Sequence, residues 1–349
     1  MSKPTPVLAP ARARLLACAL SVLLPACGAE SGDDDDASAT ADSADTGGSD
    51  TGDTGDVAQS PILVGSFQLE LVSPVAASGD TPATPGNTTL FGKVYDGPTP
   101  SQIVWEEGLK DGDCQLMTPR VPFCETPCGG SAVCVEDDTC EPYPLAGSVG
   151  TVTVTGVETA DGKTEFTIDP IANGYQPSGG VSLAYPAFAE GDAIAVAASG
   201  ATFEAFTLRA KGIAPLVLTS QTLTLAGDTP LALTWTAPAT AGASKIHVKL
   251  DISHHGGTKG MIACDTADSG ALTISAALVK QLLDLGVAGF PSVIVTRSAV
   301  GSATIAAGRV DLVVSSDIER FVDIAGLTSC TDDSQCPDGQ TCQSDLTCQ

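Results

Sequence analysis

The sequence predicts a mainly β protein: one or two β-sandwich domains with one short helix, plus two small cysteine modules stapled by disulfides. Three observations predict it. From residue 60 to 326, apolar side chains recur with period two in short runs bounded by Gly, Pro, Asp and Asn, the pattern of half-buried strands. Glycine (37) and proline (23) together make up about one in six of the 349 residues, too many turn formers for a helical fold. Twelve cysteines are present, nine of them in two close clusters, the mark of small loops closed by disulfides in an exported chain.

The strands follow in order. Residues 152–155, 164–168, 194–198, 203–209, 222–225 and 231–235 alternate or nearly so. Ile246, Val248, Leu250 and Ile252 then share one face of a strand whose other face carries His247, Lys249 and Asp251. Residues 293–296 and 310–314 complete the set. Short strands about ten residues apart imply a sandwich or barrel with hairpin and Greek-key links. The segment 275–285 differs: Leu278, Leu282 and Leu285 recur at helical spacing beside Val279 and Leu283. Ser275 is placed to cap the helix start and Gly286 to stop it.

More than 260 residues of body suggest two sandwiches. The expected organisation is a signal peptide over 1–26 and a lipidated cysteine with an acidic tether over 27–57. A first sandwich over 58–211 holds a cysteine-rich insert at 113–144, and a second over 212–326 holds the helix. A C-terminal cysteine module covers 327–349.

Charge narrows the function. Lys plus Arg total 16 against 42 Asp plus Glu, a net charge of −26, which excludes a nucleic-acid binder built on clustered cations. Residues 1–26 hold three bases and no acid, whereas 28–57 hold ten acids and no base. A basic start, an apolar run over 15–24 and small residues after it form an export signal, too short to span a bilayer as a helix. The following 28–56 is nearly all Asp, Ser, Thr, Ala and Gly; such a segment cannot bury enough apolar surface to fold, and as a coil it reaches roughly 30 Å. Its three Asp-Thr-Gly triplets (at Asp45, Asp50 and Asp53) sit in low-complexity sequence, without the rigid, buried carboxylate pair that an aspartic protease needs.

Leu24-Pro25-Ala26-Cys27 resembles the bacterial lipobox. The resemblance implies that Cys27 is acylated and becomes the mature N-terminus, with palmitate-like chains anchoring the protein at an outer membrane or cell surface. Buried acyl chains contribute about 0.8 kcal/mol per CH₂.

With Cys18 removed in the signal and Cys27 acylated, ten cysteines remain as disulfide candidates: Cys114, Cys124, Cys128, Cys134, Cys140, Cys264, Cys330, Cys336, Cys342 and Cys348. Cys128-x5-Cys134-x5-Cys140 aligns with Cys336-x5-Cys342-x5-Cys348, and the alignment also matches Asp137 with Asp345 and Thr139 with Thr347. This is an internal repeat. Adding Cys124 and Cys330 gives two four-cysteine modules and leaves Cys114 and Cys264 as a hypothetical long-range pair, a bridge that would fix one sandwich against the other. Five-residue gaps are too wide for zinc ligand pairs. The last twenty residues hold one large aliphatic side chain, Leu346, so disulfides at ~3 kcal/mol each must hold them. Both modules resemble the short cysteine-rich repeats of surface lipoproteins in predatory soil bacteria and, more distantly, the Dickkopf-type cysteine-rich region.

Leu233-Thr-Trp235-Thr-Ala-Pro238, followed by the strand from Ile246 to Ile252, resembles a fibronectin type III domain, although the helix departs from that pattern.

Candidate chemistry centres on His247, Asp251, His254 and His255 before Gly256-Gly257; these are all three histidines of the chain with one carboxylate. Asp251, His254 and His255 could hold zinc or another divalent ion for a hydrolase. Against it, His247 and Asp251 stand about 13 Å apart at strand rise, and adjacent histidines point oppositely in extended chain. Asp33–Asp36 and the Asp-x2-Asp steps to Asp56 could attract calcium loosely, without the ligand spacing of an EF-hand loop. Asp268-Ser269-Gly270 has alanines where a trypsin-type serine has glycines. Glu106-Glu107 reads as a solvated pair. The favoured reading is a surface-exposed binding or structural lipoprotein without catalysis, its partners the membrane and a protein or polysaccharide at the cell surface. Trp105, Trp235 and Tyr185 are the residues available to stack on sugars, with Trp235 placed inside a strand.

Overall fold

The computed structural model describes residues 61–77, 82–220, 222–255, 257 and 259–349. The export signal, Cys27 and the tether fall outside the described residues.

Chain order begins with β1 (Leu63–Val72), β2 (Asn87–Val94), β3 (Val104–Asp111) and β4 (Cys114–Arg120). The first cysteine cluster supplies β5 (Ala132–Glu136) and β6 (Thr139–Pro142). Then come β7 (Val152–Thr155), β8 (Glu165–Ile168), β9 (Gly174–Tyr175), β10 (Ala193–Ala198) and β11 (Phe206–Lys211). The later part holds β12 (Thr224–Leu225), β13 (Leu231–Thr234), β14 (Lys245–Asp251), β15 (Met261–Ala267), β16 (Ala271–Ile274) and α1 (Ala276–Asp284). Two long strands, β17 (Ser292–Ile305) and β18 (Gly308–Phe321), precede β19 (Asp323–Ile324).

One nine-stranded sheet, ordered β3-β4-β15-β14-β17-β18-β1-β2-β9, runs through both halves of the chain. A four-stranded sheet, β11-β10-β7-β8, and three two-stranded ribbons, β12-β19, β13-β16 and β5-β6, accompany it. The links are not all hairpins and Greek keys: β1 lies parallel to β18, and β12 parallel to β19.

The inner face of the long sheet is covered by two different layers. Over one end, Phe67, Leu69, Leu71, Leu90 and Val94 pack with Val152, Val154, Ile194, Val196 and Leu208 of the four-stranded sheet. Over the other end, Ile246, Val248, Leu250, Ile262, Val293 and Val295 pack with Leu231, Leu233 and Ile274 of the β13-β16 ribbon and Leu278, Val279 and Leu282 of α1. Strict alternation in the long-sheet strands sends these residues inward together. In sequence the two clusters part between Ile213 and Leu216, with two exceptions. Cys114 and Leu116 join the later cluster, and Ile305, Val310, Leu312 and Val314 of the β17-β18 hairpin join the earlier one. The hairpin and the sheet therefore cross the division expected near Gly212.

Helix α1 is capped by the Ser275 side chain, which accepts from Leu278 N–H, and Gly286 follows the C-cap at φ +88°, a left-handed position that glycine adopts without steric cost. Among the described residues no helix is long and apolar enough to cross a membrane.

Candidate functional site

Among the described residues the chain is held by five disulfides. Cys114–Cys264 joins facing residues of the neighbouring strands β4 and β15, with Cα atoms 4.0 Å apart. This bridge staples two strands of one sheet, rather than one sandwich against another. It is buried in the second cluster and closes a loop of 150 residues. The cysteine modules share one connectivity, first to third and second to fourth. These are Cys124–Cys134 with Cys128–Cys140, and Cys330–Cys342 with Cys336–Cys348.

The histidine turn is bent, not extended. His255 takes φ +62°, and the rings of His254 and His255 lie 3.9 Å apart between centroids. His254 Nε2 lies 3.8 Å from Glu319 Oε1 on β18. The Asp251 carboxylate turns back into its own chain, accepting from Ser253 N–H at 2.7 Å and Ser253 Oγ at 3.1 Å. His247 stays on the outer sheet face, its Nδ1 2.9 Å from Asp265 Oδ1; the hydrogen bond from His247 holds the Asp265 carboxyl below its usual range. The structure thus brings His254, His255 and Glu319 together and leaves His247 and Asp251 with other partners. Among the described residues, two sets of three His, Cys, Asp or Glu ligand atoms lie within 4.8 Å of one another: Cys124, Cys128, Cys140 and Cys330, Cys336, Cys348. Each of those sulfurs is in a disulfide, so none is a free thiolate ligand.

The aromatic candidates are not on one face. Trp235 is buried, and its indole N–H donates to Asp268 Oδ1 at 2.7 Å. Trp105 and Tyr185 are half-buried, Trp105 on β3 and Tyr185 under Gly86. Glu106 and Glu107 are exposed on β3; Glu106 pairs with Arg120 at 3.3 Å, and Glu107 accepts from Gln115 at 3.1 Å.

Two groupings escaped the sequence. The first surrounds Asp268, which the sequence offers only as part of Asp268-Ser269-Gly270. Its carboxylate accepts from Arg297, Ser244 and Trp235, all buried. The second is Glu70 on β1 beside Asp317 on β18. Burial, then a hydrogen bond and charge repulsion from Asp317, push the Glu70 carboxyl up to about 7. Neither pair has a sequence signal, because each joins residues that only tertiary structure brings together.

No family model matches the chain, and no curated protein does. Among solved structures it is similar to the FN1–FN3 domains of chicken CNTN1, at 10% identity over 70% of this chain and 71% of the other. The TM-score is 0.15, too low for fold or function to be carried over.

Proposed function

We propose that the chain is a lipid-anchored lipoprotein displayed at an outer membrane or cell surface, where it binds or supports other molecules without catalysis. The observation that carries this reading is Leu24-Pro25-Ala26-Cys27 placed directly before an acidic tether and a disulfide-rich body. Five disulfides support export, because such bonds persist outside a reducing cytosol. The cysteine repeats, like those of surface lipoproteins in predatory soil bacteria and the Dickkopf-type region, support display.

The test is metabolic labelling of expressing cells with an alkyne fatty acid, read beside protease shaving of intact cells. Label on the full chain that disappears with Cys27→Ser, together with cleavage of the body on intact cells, is the expected result. An unlabelled full chain overturns the anchor, and a labelled chain protected from protease overturns surface display.

A further inference from the structure

Val293 and Val295 of β17 point into the second cluster, so by alternation Ser292, Ile294, Thr296 and Ser298 point to the outer face of the long sheet. The last three are half-buried. Ser292 is only 1% exposed, and its hydroxyl is buried without a hydrogen-bond partner. Such a group marks a place where a donor or acceptor is missing.

The histidine turn covers it. His254 follows β14, on one side of β17, and its Nε2 reaches to 3.8 Å from Glu319 Oε1 of β18 on the other side. Ile318 packs in the second cluster, so Glu319 also stands on the outer face. The His254 imidazole therefore crosses above the start of β17, where Ser292 lies between Asp251 and Phe321 in register.

The turn is built to hold the ring there. Ala288 N–H donates to the Ile252 carbonyl at 3.0 Å and Phe290 N–H to the His254 carbonyl at 2.8 Å, which carries the pairing of β14 and β17 past the ends of both strands. Ser253, fully buried, accepts from Lys259 N–H at 3.1 Å while its hydroxyl donates to Asp251. His255 then takes its left-handed φ of +62°, uncommon for a residue with a side chain. Adjacent histidines in extended chain point apart; this backbone brings the two ring centroids to 3.9 Å. Backbone held in a sparsely populated region clusters at ligand sites.

We propose that His254, His255 and Glu319 form a binding site for a divalent transition-metal ion of the zinc class, set over the Ser292 hydroxyl. The donors select the ion: imidazole nitrogen suits zinc and its neighbours in the series, whereas calcium and magnesium take shells of oxygen. Zinc stands about 2.0–2.2 Å from such ligands, so two atoms 3.8 Å apart are within reach of one ion. As its ring stands, His255 does not bring the three ligand atoms within 4.8 Å of one another; its side chain is exposed, and rotation about its own bonds completes the set. The Ser292 hydroxyl beneath gains the partner it lacks, the carboxylate or a water on the ion. Asp251 is engaged by Ser253 and His247 by Asp265, so neither belongs to the set. Three protein ligands leave the ion a position open to water or to a donor from a partner. The proposal goes beyond the surface-lipoprotein reading and requires neither lipidation nor catalysis.

The test is calorimetric titration of zinc chloride into the full chain in detergent, without affinity-tag histidines and with its disulfides intact, and into the Cys27→Ser chain. Expected is one saturable zinc per chain, equal in both and unchanged by excess magnesium or calcium. Affinity falls about tenfold or more with His254→Ala, His255→Ala or Glu319→Gln, and stays the same with His247→Ala or Asp251→Asn. In proton NMR, zinc moves the ring signals of His254 and His255 and leaves those of His247 in place. Disulfide mapping confirms that each variant keeps its five bridges. No saturable zinc overturns the proposal, as does zinc that excess magnesium displaces, which is held only by diffuse negative charge. Affinity unchanged in His254→Ala or in Glu319→Gln overturns it too. A loss in Asp251→Asn as large as that in Glu319→Gln moves the ion to the turn's own acid and overturns the ligand set.

Discussion

Arg297 donates to both carboxylate oxygens of Asp268, Nε to Oδ2 at 2.6 Å and Nη2 to Oδ1 at 3.1 Å, with the arginine 1% exposed. Its other donors reach the carbonyls of Ala214, Pro215 and Thr236, while Asp268 also takes Ser244 Oγ and Trp235 Nε1. Every strong donor on the guanidinium is met, the condition under which a buried ion pair is tolerated. The network ties the 214–215 link between the two clusters to β17 and to the residues just after β13, just before β14 and just after β15. Asp268→Ala leaves a buried, unpaired guanidinium and should cost about 3–5 kcal/mol, read as a fall in denaturation midpoint. Burial pushes the Asp268 carboxyl up, but the hydrogen bonds from Arg297, Ser244 and Trp235 and the guanidinium charge together bring it below its reference value of 3.8. Its folded value is therefore below its unfolded one. Its stabilisation is present above pH 3.8 and is lost as pH falls through the lower folded value. An acid unfolding curve for the parent without that loss would contradict the assignment.

Glu70 works in the opposite sense. Its folded carboxyl is raised to about 7 from 4.5, so the folded state holds a proton that the unfolded state has released. Its contribution is complete below pH 4.5 and is lost as pH rises through about 7. Stability should fall by about 1–2 kcal/mol between pH 4.5 and 7.5 after allowance for solvent screening. Glu70→Gln, which keeps the shape and removes the titration, should flatten that part of the profile. Chemical denaturation at several pH values reads the difference, and an unchanged slope in the variant would remove Glu70 from the account.

Particular elements show where the fold was legible. The inward set Ile246, Val248, Leu250 and the capped helix from Ser275 to Gly286 follow from period and cap chemistry, which act within a few residues. The long strands β17 and β18 were visible only as 293–296 and 310–314. Beyond Thr296 the inward positions of β17 become Arg297, Ala299, Gly301 and Ala303, and the hydrophobic alternation fades. At Gly301 the reason is contact: the Arg209 backbone of β11 lies so close that no side chain fits. Counting cysteines leaves Cys114 and Cys264 over, but it cannot place them opposite each other in adjacent strands. Nor does the parallel pairing of β1 with β18 mark the sequence, since its register joins residues some 245 apart. At the candidate site, sequence supplied the histidine turn and the cysteine repeat. Glu319 beside His254 depends on tertiary contacts.

The Cys114–Cys264 bridge should be the most stabilising of the five. Chain-entropy reasoning assigns about 5 kcal/mol to its 150-residue loop and about 3 kcal/mol to each 12-residue loop. It also holds β4 on β15, and β3 is paired only with β4 in the long sheet. Replacing both cysteines with alanine should lower the thermal midpoint more than removing Cys336–Cys348 in the same way. Limited proteolysis should then cut first within 104–120. An equal shift for the two double variants would show that the long loop is already constrained in the unfolded chain.

Gly301 marks the closest approach between the long sheet and its cover. A Cβ built there would stand 1.7 Å from the Arg209 carbonyl oxygen and 2.5 Å from its carbon. Both are backbone atoms of the edge strand β11, which cannot rotate away as a side chain can. Gly301→Ala must therefore push β11 off β17 or distort the strand, with a cost of about 1–3 kcal/mol, as for overpacking in other cores. Gly301→Val should cost more, because its branches meet the same backbone. Ala303, two residues on, is the control: it packs partly buried against the first cluster, and Ala303→Gly should lower stability by only about 0.5–1 kcal/mol. Hydrogen exchange should show the β10-β11 amides opening first in Gly301→Ala. If those amides stay as protected as in the parent while stability falls, the strain is borne elsewhere and β11 is not held by this contact.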